Sequence, residues 1–248
     1  MSALAAFDFG NAIDFIVNGR ESVTGGLQIG GSKLLPQLGE HLKLTFAAVG
    51  IACLIAIPLG LWLGHRRKGQ FIVSSIANVG RAVPSIALIG FAVAYIGLGF
   101  PNALLALTLL AIPPIFVNTY VGISEVEPDI VDAARGQGMT ENEIVRKVEL
   151  PLAIPLVFGG VRTSVVNVIA TATIAPLIGV VTLGDAIVSP QVYGDAGQLG
   201  AAICVALLAI TAEVVFATVQ RFVTPKGLKL SSRKRSSVFT SLRRVPVP

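Results

Sequence analysis

The sequence predicts an all-α membrane protein of five spans. Three observations carry that expectation: the scarcity of charge, the length of the uncharged runs, and the side on which the basic residues collect. Only 13% of the 248 residues are charged and mean hydropathy is +0.78, against about 25% charged in an ordinary soluble domain. Leu44–His65, Ala82–Ser124, Thr163–Gly184 and Ala196–Ala212 contain no formal charge, and a helix needs about 20 apolar residues to cross hydrocarbon. The second run is too long for one crossing and contains GLGFPN, Gly97 to Asn102, whose Gly and Pro suit a tight reversal. The expected spans are residues 42–64, 71–97, 102–122, 153–180 and 198–222, inside a transmembrane domain of residues 41–223.

On either side lie two other segments. Residues 1–40 are expected to form a short surface helix followed by a Gly-rich linker, GGLQIGG. They do not read as a cleavable leader, since the start lacks basic residues and Asp8 and Asp14 interrupt the apolar stretch. Residues 224–248 are basic and Ser-rich. Beside a span, such a tail is expected to be weakly ordered and to meet anionic lipid rather than nucleic acid.

Lys and Arg mark the cytoplasmic side of a membrane protein. In the five-span arrangement, 14 of the 19 basic residues fall on one side: Arg66, Arg67 and Lys68 in the first loop, Arg135, Arg146 and Lys147 after span three, and eight from Arg221 onward. Arg20, Lys33 and Lys43 fall on the other side, while Arg81 and Arg162 lie within spans. The N-terminus is therefore expected outside and the C-terminus in the cytoplasm.

One polar segment stands apart on the cytoplasmic side. VDAARGQGMTENEIVRKVELP, Val131 to Pro151, holds seven of the 33 charged residues. Ser124 with Glu127 and Thr140 with Glu143 both fit capping boxes, Gly138 allows a sharp turn, and Pro151 is expected to end the second helix. The spacing puts Ile130, Ala133 and Ala134 on one side of the first helix, and Ile144, Val145 and Val148 on one side of the second. Those apolar patches need cover, either from the protein's own spans or from a partner.

DAARGQG, then nine residues, then VELP resembles the signature of permease subunits of ATP-binding-cassette importers: EAA, three residues, G, nine residues, I, one residue, LP. Asp132, Ala133 and Ala134 align with EAA, Gly138 with the glycine, Val148 with the isoleucine, and Leu150 and Pro151 with the final pair. Asp for Glu and Val for Ile are the two departures. Further stretches resemble the permeases of glycine betaine, carnitine, choline and proline uptake: EHLKLTFAAVGIACLIAIPLGLWLG, NVGRAVPSIALIGF, PPIFVNTYVGI, PLAIPLVFGGVRTSVVNVIATATIAPLIG and TLGDAI.

The resemblance implies a type I importer transmembrane domain in a bacterial inner membrane. It also implies coupling helices at 124–150 that dock an ATP-binding subunit through Asp132, Ala133, Ala134, Arg135, Gly138, Val148, Leu150 and Pro151. The expected partners are that subunit, an external solute-binding protein and a second permease, either an identical copy or a paralogue.

The chain itself lacks machinery for energy or capture. GGLQIGGSK is rich in glycine, but Leu34 follows its Lys and the order GxxxxGK[ST] is missing. ATP hydrolysis is therefore expected elsewhere, and neither an enzyme activity nor a cofactor is expected here. His41 and His65 lie at opposite ends of span one, and no spacing of His, Cys and carboxylates suits a metal. Cys53 and Cys204 read as small apolar residues within spans.

Charges inside a membrane call for a partner. Arg81, Arg162 and Glu213 each lie about ten residues from the cytoplasmic end of a span, a depth on the order of 14 Å. Glu213 is expected to pair with Arg162 or Arg81, at a gate; snorkelling of each side chain to the interface is the alternative. Pro84 with Ser85, and Pro176, are candidate pathway linings, since broken helices are tolerated where freed backbone groups face protein or a wet cavity; kinks made for packing are the plainer reading. The functional expectation is a permease of an ATP-driven importer for a compatible solute. The rivals are an importer of another small solute and an ion-gradient transporter, which would need more spans in an internal repeat.

Overall fold

The computed structural model describes residues 9–224, apart from the Arg81 side chain; the basic tail expected to meet lipid lies outside the described residues. Five apolar segments are present, four as long helices and one as a broken pair. Three of the long helices form the centre: α2 (Leu34–His65), α5 (Phe100–Ser124) and α8 (Leu150–Thr171), with α5 packed between the other two. Lipid supplies no hydrophobic force between helices, so close approach of small residues holds them together. A side-chain carbon on Gly60 would sit 2.7 Å from Thr119 Cβ, and one on Gly160 would sit 2.7 Å from the Pro114 carbonyl oxygen. Ala48, Ala52 and Ala56 continue the buried stripe of α2 against Leu107, Ala111 and Ile115.

Several hydroxyls in this core donate to backbone carbonyls, on their own helix or on a neighbouring one. The hydroxyls of Thr108 and Thr119 donate to the carbonyls four residues earlier. Ser164 donates across to the Ala111 carbonyl at 2.8 Å, a bond between α8 and α5. Pro113 and Pro114 lack the N–H groups that the carbonyls of Leu109 and Leu110 would accept in an unbroken helix.

Several sequence expectations are corrected. Residues 71–97 are not one straight span: α3 (Gln70–Ala82) and α4 (Ser85–Ile96) meet at a 93° bend. Pro84 forces the preceding Val83 into an extended backbone (φ −78°, ψ 117°), which ends α3. Span one begins earlier than expected, at Leu34, because Glu40 and Lys43 form an exposed ion pair on a helix extension and do not stop the helix.

Pro151 does not end a helix but lies in the first turn of α8. A five-residue π turn, Val145–Glu149, precedes it and lets the helix pass a residue without an N–H. At the other end, α8 tightens into a 3₁₀ segment, Ala172–Ile178, which Gly179 closes at φ 82°. Span five is longer than expected, α10 running from Pro190 to Val223 with a kink at Gly194.

The expected Gly-rich linker is instead a small hairpin. Strands β1 (Gly19–Glu21) and β2 (Gln28–Gly30) pair antiparallel with Arg20 opposite Ile29. The preceding helix α1 (Phe9–Val17) is not merely a surface element, since Phe15 is fully buried and stands edge-on to Tyr193 of α10, with ring centroids 6.3 Å apart. Past the 3₁₀ segment, the chain doubles back so that Gly184 presses on Thr173. Thr182 Oγ1 donates to the Ala172 carbonyl at 2.9 Å and accepts from the Gly184 N–H.

Candidate functional site: a docking segment and a polar cavity

Between α5 and α8 the chain leaves the bundle as two short helices, α6 (Pro128–Gly136) and α7 (Glu141–Ile144). Pro128 opens α6 where its missing N–H costs nothing. The box expected at Ser124 and Glu127 does not form: α5 runs on through Ser124, whose hydroxyl donates back to Val121. Gly138, at φ 83°, makes the turn after α6, its N–H donating to the Arg135 carbonyl. The second box does form, Thr140 and Glu143 exchanging side-chain and backbone bonds.

Lys147 at 2.8 Å and the two groups of Thr140 together pull the Glu143 carboxyl down to about 2. Its contribution to the cap is present above the ordinary value of 4.5 and is lost as pH falls through about 2. Thr140→Ala is expected to cost about 1 kcal/mol of local stability. Faster amide exchange confined to residues 140–149 would register it.

The apolar patches are covered only in part within the chain. Val126, Val131, Ala134 and Ile144 form a small core of their own, with Met139, Val148 and Leu152 packed against it. Ile130 and Ala133 stay exposed along an open groove of about 410 Å³, whose other walls are Asp129, Ala134, Gln137, Met139 and Val148. Leu150 turns inward against Ile123, Ala153 and Val157, and Pro151 belongs to α8. These two therefore scaffold the segment rather than face the groove.

Arg135 and Asp132 are not among the residues that line the groove; Arg135 holds Glu141 with Nε at 2.8 Å and Nη2 at 3.1 Å, and Asp132 with Nη1 at 2.9 Å. The Arg135 bonds hold the Glu141 carboxyl below its usual range, and Glu141 in turn raises the guanidinium value.

A second cavity of about 410 Å³ opens between α3, α5 and α8. Gly80 with Pro113 and Pro114 forms one wall, and Asn118, Thr163, Asn167 and Thr171 supply its polar groups. Helix breaks are expected where the backbone borders such a space. Pro84, Ser85 and Pro176 do not line it: Pro84 and Ser85 lie at the bend from α3 to α4, and Pro176 lies in the 3₁₀ segment. The polar Asn and Thr residues went unread because, taken singly, they look like back-bonded residues within apolar helices; only the fold brings them to one wall.

Glu213 of α10 lies 3.4 Å from Arg162 Nε of α8. Arg162 also donates to Gln220 at 3.3 Å, and Gln220 donates to the Pro155 carbonyl at 2.7 Å, so α8 and α10 are joined by one polar chain. No set of three or more metal-ligating side chains able to hold an ion occurs among the described residues.

Five apolar segments, with a polar cavity between α3, α5 and α8 and a grooved helix pair standing off one end, define a membrane subunit of a transport system. A family model for the inner membrane component of binding-protein-dependent transport systems matches residues 56–227, and the chain belongs to that family. It is the permease subunit of an ATP-binding-cassette importer, a class that works with an ATP-binding subunit and a solute-binding protein.

The chain is 39% identical over 204 residues to the glycine betaine/carnitine/choline transport system permease of Bacillus subtilis, covering 82% of this chain and 94% of that one. It is 35% identical to the osmoprotectant import permease OsmW of Salmonella typhimurium, covering 77% and 91%. Among solved structures, the MetNI methionine ABC transporter in its inward-facing form matches with a TM-score of 0.67 at 25% identity, over 77% of this chain and 96% of that one.

Proposed function

We propose that this permease imports a compatible solute of the glycine betaine, carnitine, choline or proline type. The similarity to the Bacillus permease, which runs through nearly the whole of both transmembrane regions, is the observation that carries this reading. The cavity is compatible with it: the described residues that line it carry no formal charge, and they offer amides and hydroxyls to a carboxylate.

In the same reading, α6 and α7 are coupling helices on the cytoplasmic side, and the groove at Ile130 and Ala133 receives the ATP-binding subunit. Asp132 and Arg135, exposed on α6 outside the groove, add charged contacts that set register and partner choice. The N-terminus is outside, the C-terminus is cytoplasmic, and the permease pairs with a second copy or a paralogue. The pair of Arg162 and Glu213 acts as a gate between α8 and α10.

Uptake of labelled betaine, choline, carnitine and proline by the reconstituted importer tests the solute class. At least one is expected to accumulate in an ATP-dependent manner. Failure of all four, with transport of another small solute, would remove the osmoprotectant reading and leave the importer intact.

A further inference from the structure

In the docking reading the helix pair passes its movement to the spans, and besides Leu150 and Pro151 a set of charged side chains joins the two. His65 is the last residue of α2, Glu149 the last of the π turn before α8, and Glu141 the first of α7. His65 Nδ1 lies 2.7 Å from Glu149 Oε2, and its Nε2 lies 2.9 Å from Glu141 Oε2. The Glu149 side chain is 2% exposed, at the foot of the bundle.

Carboxylates only accept, so the ring donates to both only when each nitrogen carries a hydrogen, as in the imidazolium. Glu141 also accepts from Arg135, which reaches Asp132. A continuous ionic chain therefore runs from Asp132 and Arg135 on α6, through Glu141 and His65, to Glu149. Of the other charged groups nearby, Arg66 lies over the Trp62 ring, Arg67 donates to the Val126 carbonyl, Lys147 pairs with Glu143, and Arg146 of the π turn is exposed.

We propose that His65 is a positioning residue for transport, a protonated clamp that ties the coupling helices to the adjacent ends of the first and fourth spans. The inference rests on the docking role given to α6 and α7. When the ATP-binding subunit moves that pair, the clamp carries the movement to α2 and α8 together. A neutral ring keeps one of the two bonds and lets one element lag. A residue that merely neutralised the buried Glu149 would matter for assembly and not for the yield of transport per ATP.

The test uses the complete importer reconstituted with its ATP-binding and solute-binding subunits. The His65→Gln complex is expected to retain its ATP-binding subunit and its hydrolysis, while solute moved per ATP falls about tenfold, the factor that one bond to a charged group is worth. In the double variant with Glu141→Gln, the loss should be no greater than in His65→Gln alone.

An unchanged ratio in His65→Gln, with the subunit bound, overturns this inference and leaves docking intact. A wild-type complex that fails to hold the ATP-binding subunit overturns the docking reading and the clamp with it. Should His65→Gln fail to assemble, the more exposed Glu141→Gln decides: an unaltered ratio there also overturns the clamp.

Discussion

Ala133→Trp is expected to leave membrane insertion and folding intact and to reduce ATP-driven uptake to background. Ala133 is exposed on α6, so the new ring meets no core atoms in the permease, and surface substitutions of this kind stay within about 0.5 kcal/mol. It does enter the groove of about 410 Å³ whose floor includes the buried Ala134. A side chain forced into a packed interface costs about 1–3 kcal/mol, and the upper value lowers docking affinity about a hundredfold. Co-purification of the ATP-binding subunit and uptake should therefore fall together. Normal uptake would sink the assignment of this face.

Among the described glycines, Gly184→Ala is expected to be the most damaging added methyl. A side-chain carbon at Gly184 would lie 1.9 Å from the Thr173 carbonyl oxygen and 2.4 Å from the Thr173 Cα. Those are backbone atoms of the 3₁₀ segment, so no rotamer change relieves the clash. The crossing also carries the bonds of Thr182 to Ala172 and to the Gly184 N–H, which separation of the two strands of chain would break. A loss of about 3 kcal/mol, or roughly 6–12 °C in the unfolding midpoint for a chain of this size, is the expected result in detergent. An unchanged midpoint would show that the loop is not seated on the 3₁₀ segment as described.

How much of this was legible in the residues follows from the reach of each force. The five apolar segments were readable because hydrocarbon demands about 20 apolar residues wherever a helix crosses it, and the Thr140 cap was readable because its partners lie three residues apart. Pro84 was visible as a break, but the 93° bend it makes depends on what α3 and α4 pack against. The hairpin at 19–30 was hidden because GGLQIGG has the composition of a linker; pairing with Gly19–Glu21 and the burial of Ile29 give it structure.

The clamp at His65 had no local signal at all, since Glu149 lies 84 residues away. His65 looked like the polar end of a span, and Glu149 looked like one more charge in a wet segment. Pro151 misled for a related reason: a proline ends a helix only where the helix cannot widen, and here the π turn ahead of it does so.

Energy source is the most direct test of the central claim. Liposomes containing this permease with its ATP-binding subunit, supplied with the solute-binding protein and ATP, should accumulate betaine or a related solute while an ionophore holds every ion gradient at zero, and accumulation should stop when ATP is withdrawn. Uptake that persists without ATP and collapses with the ionophore would contradict the account.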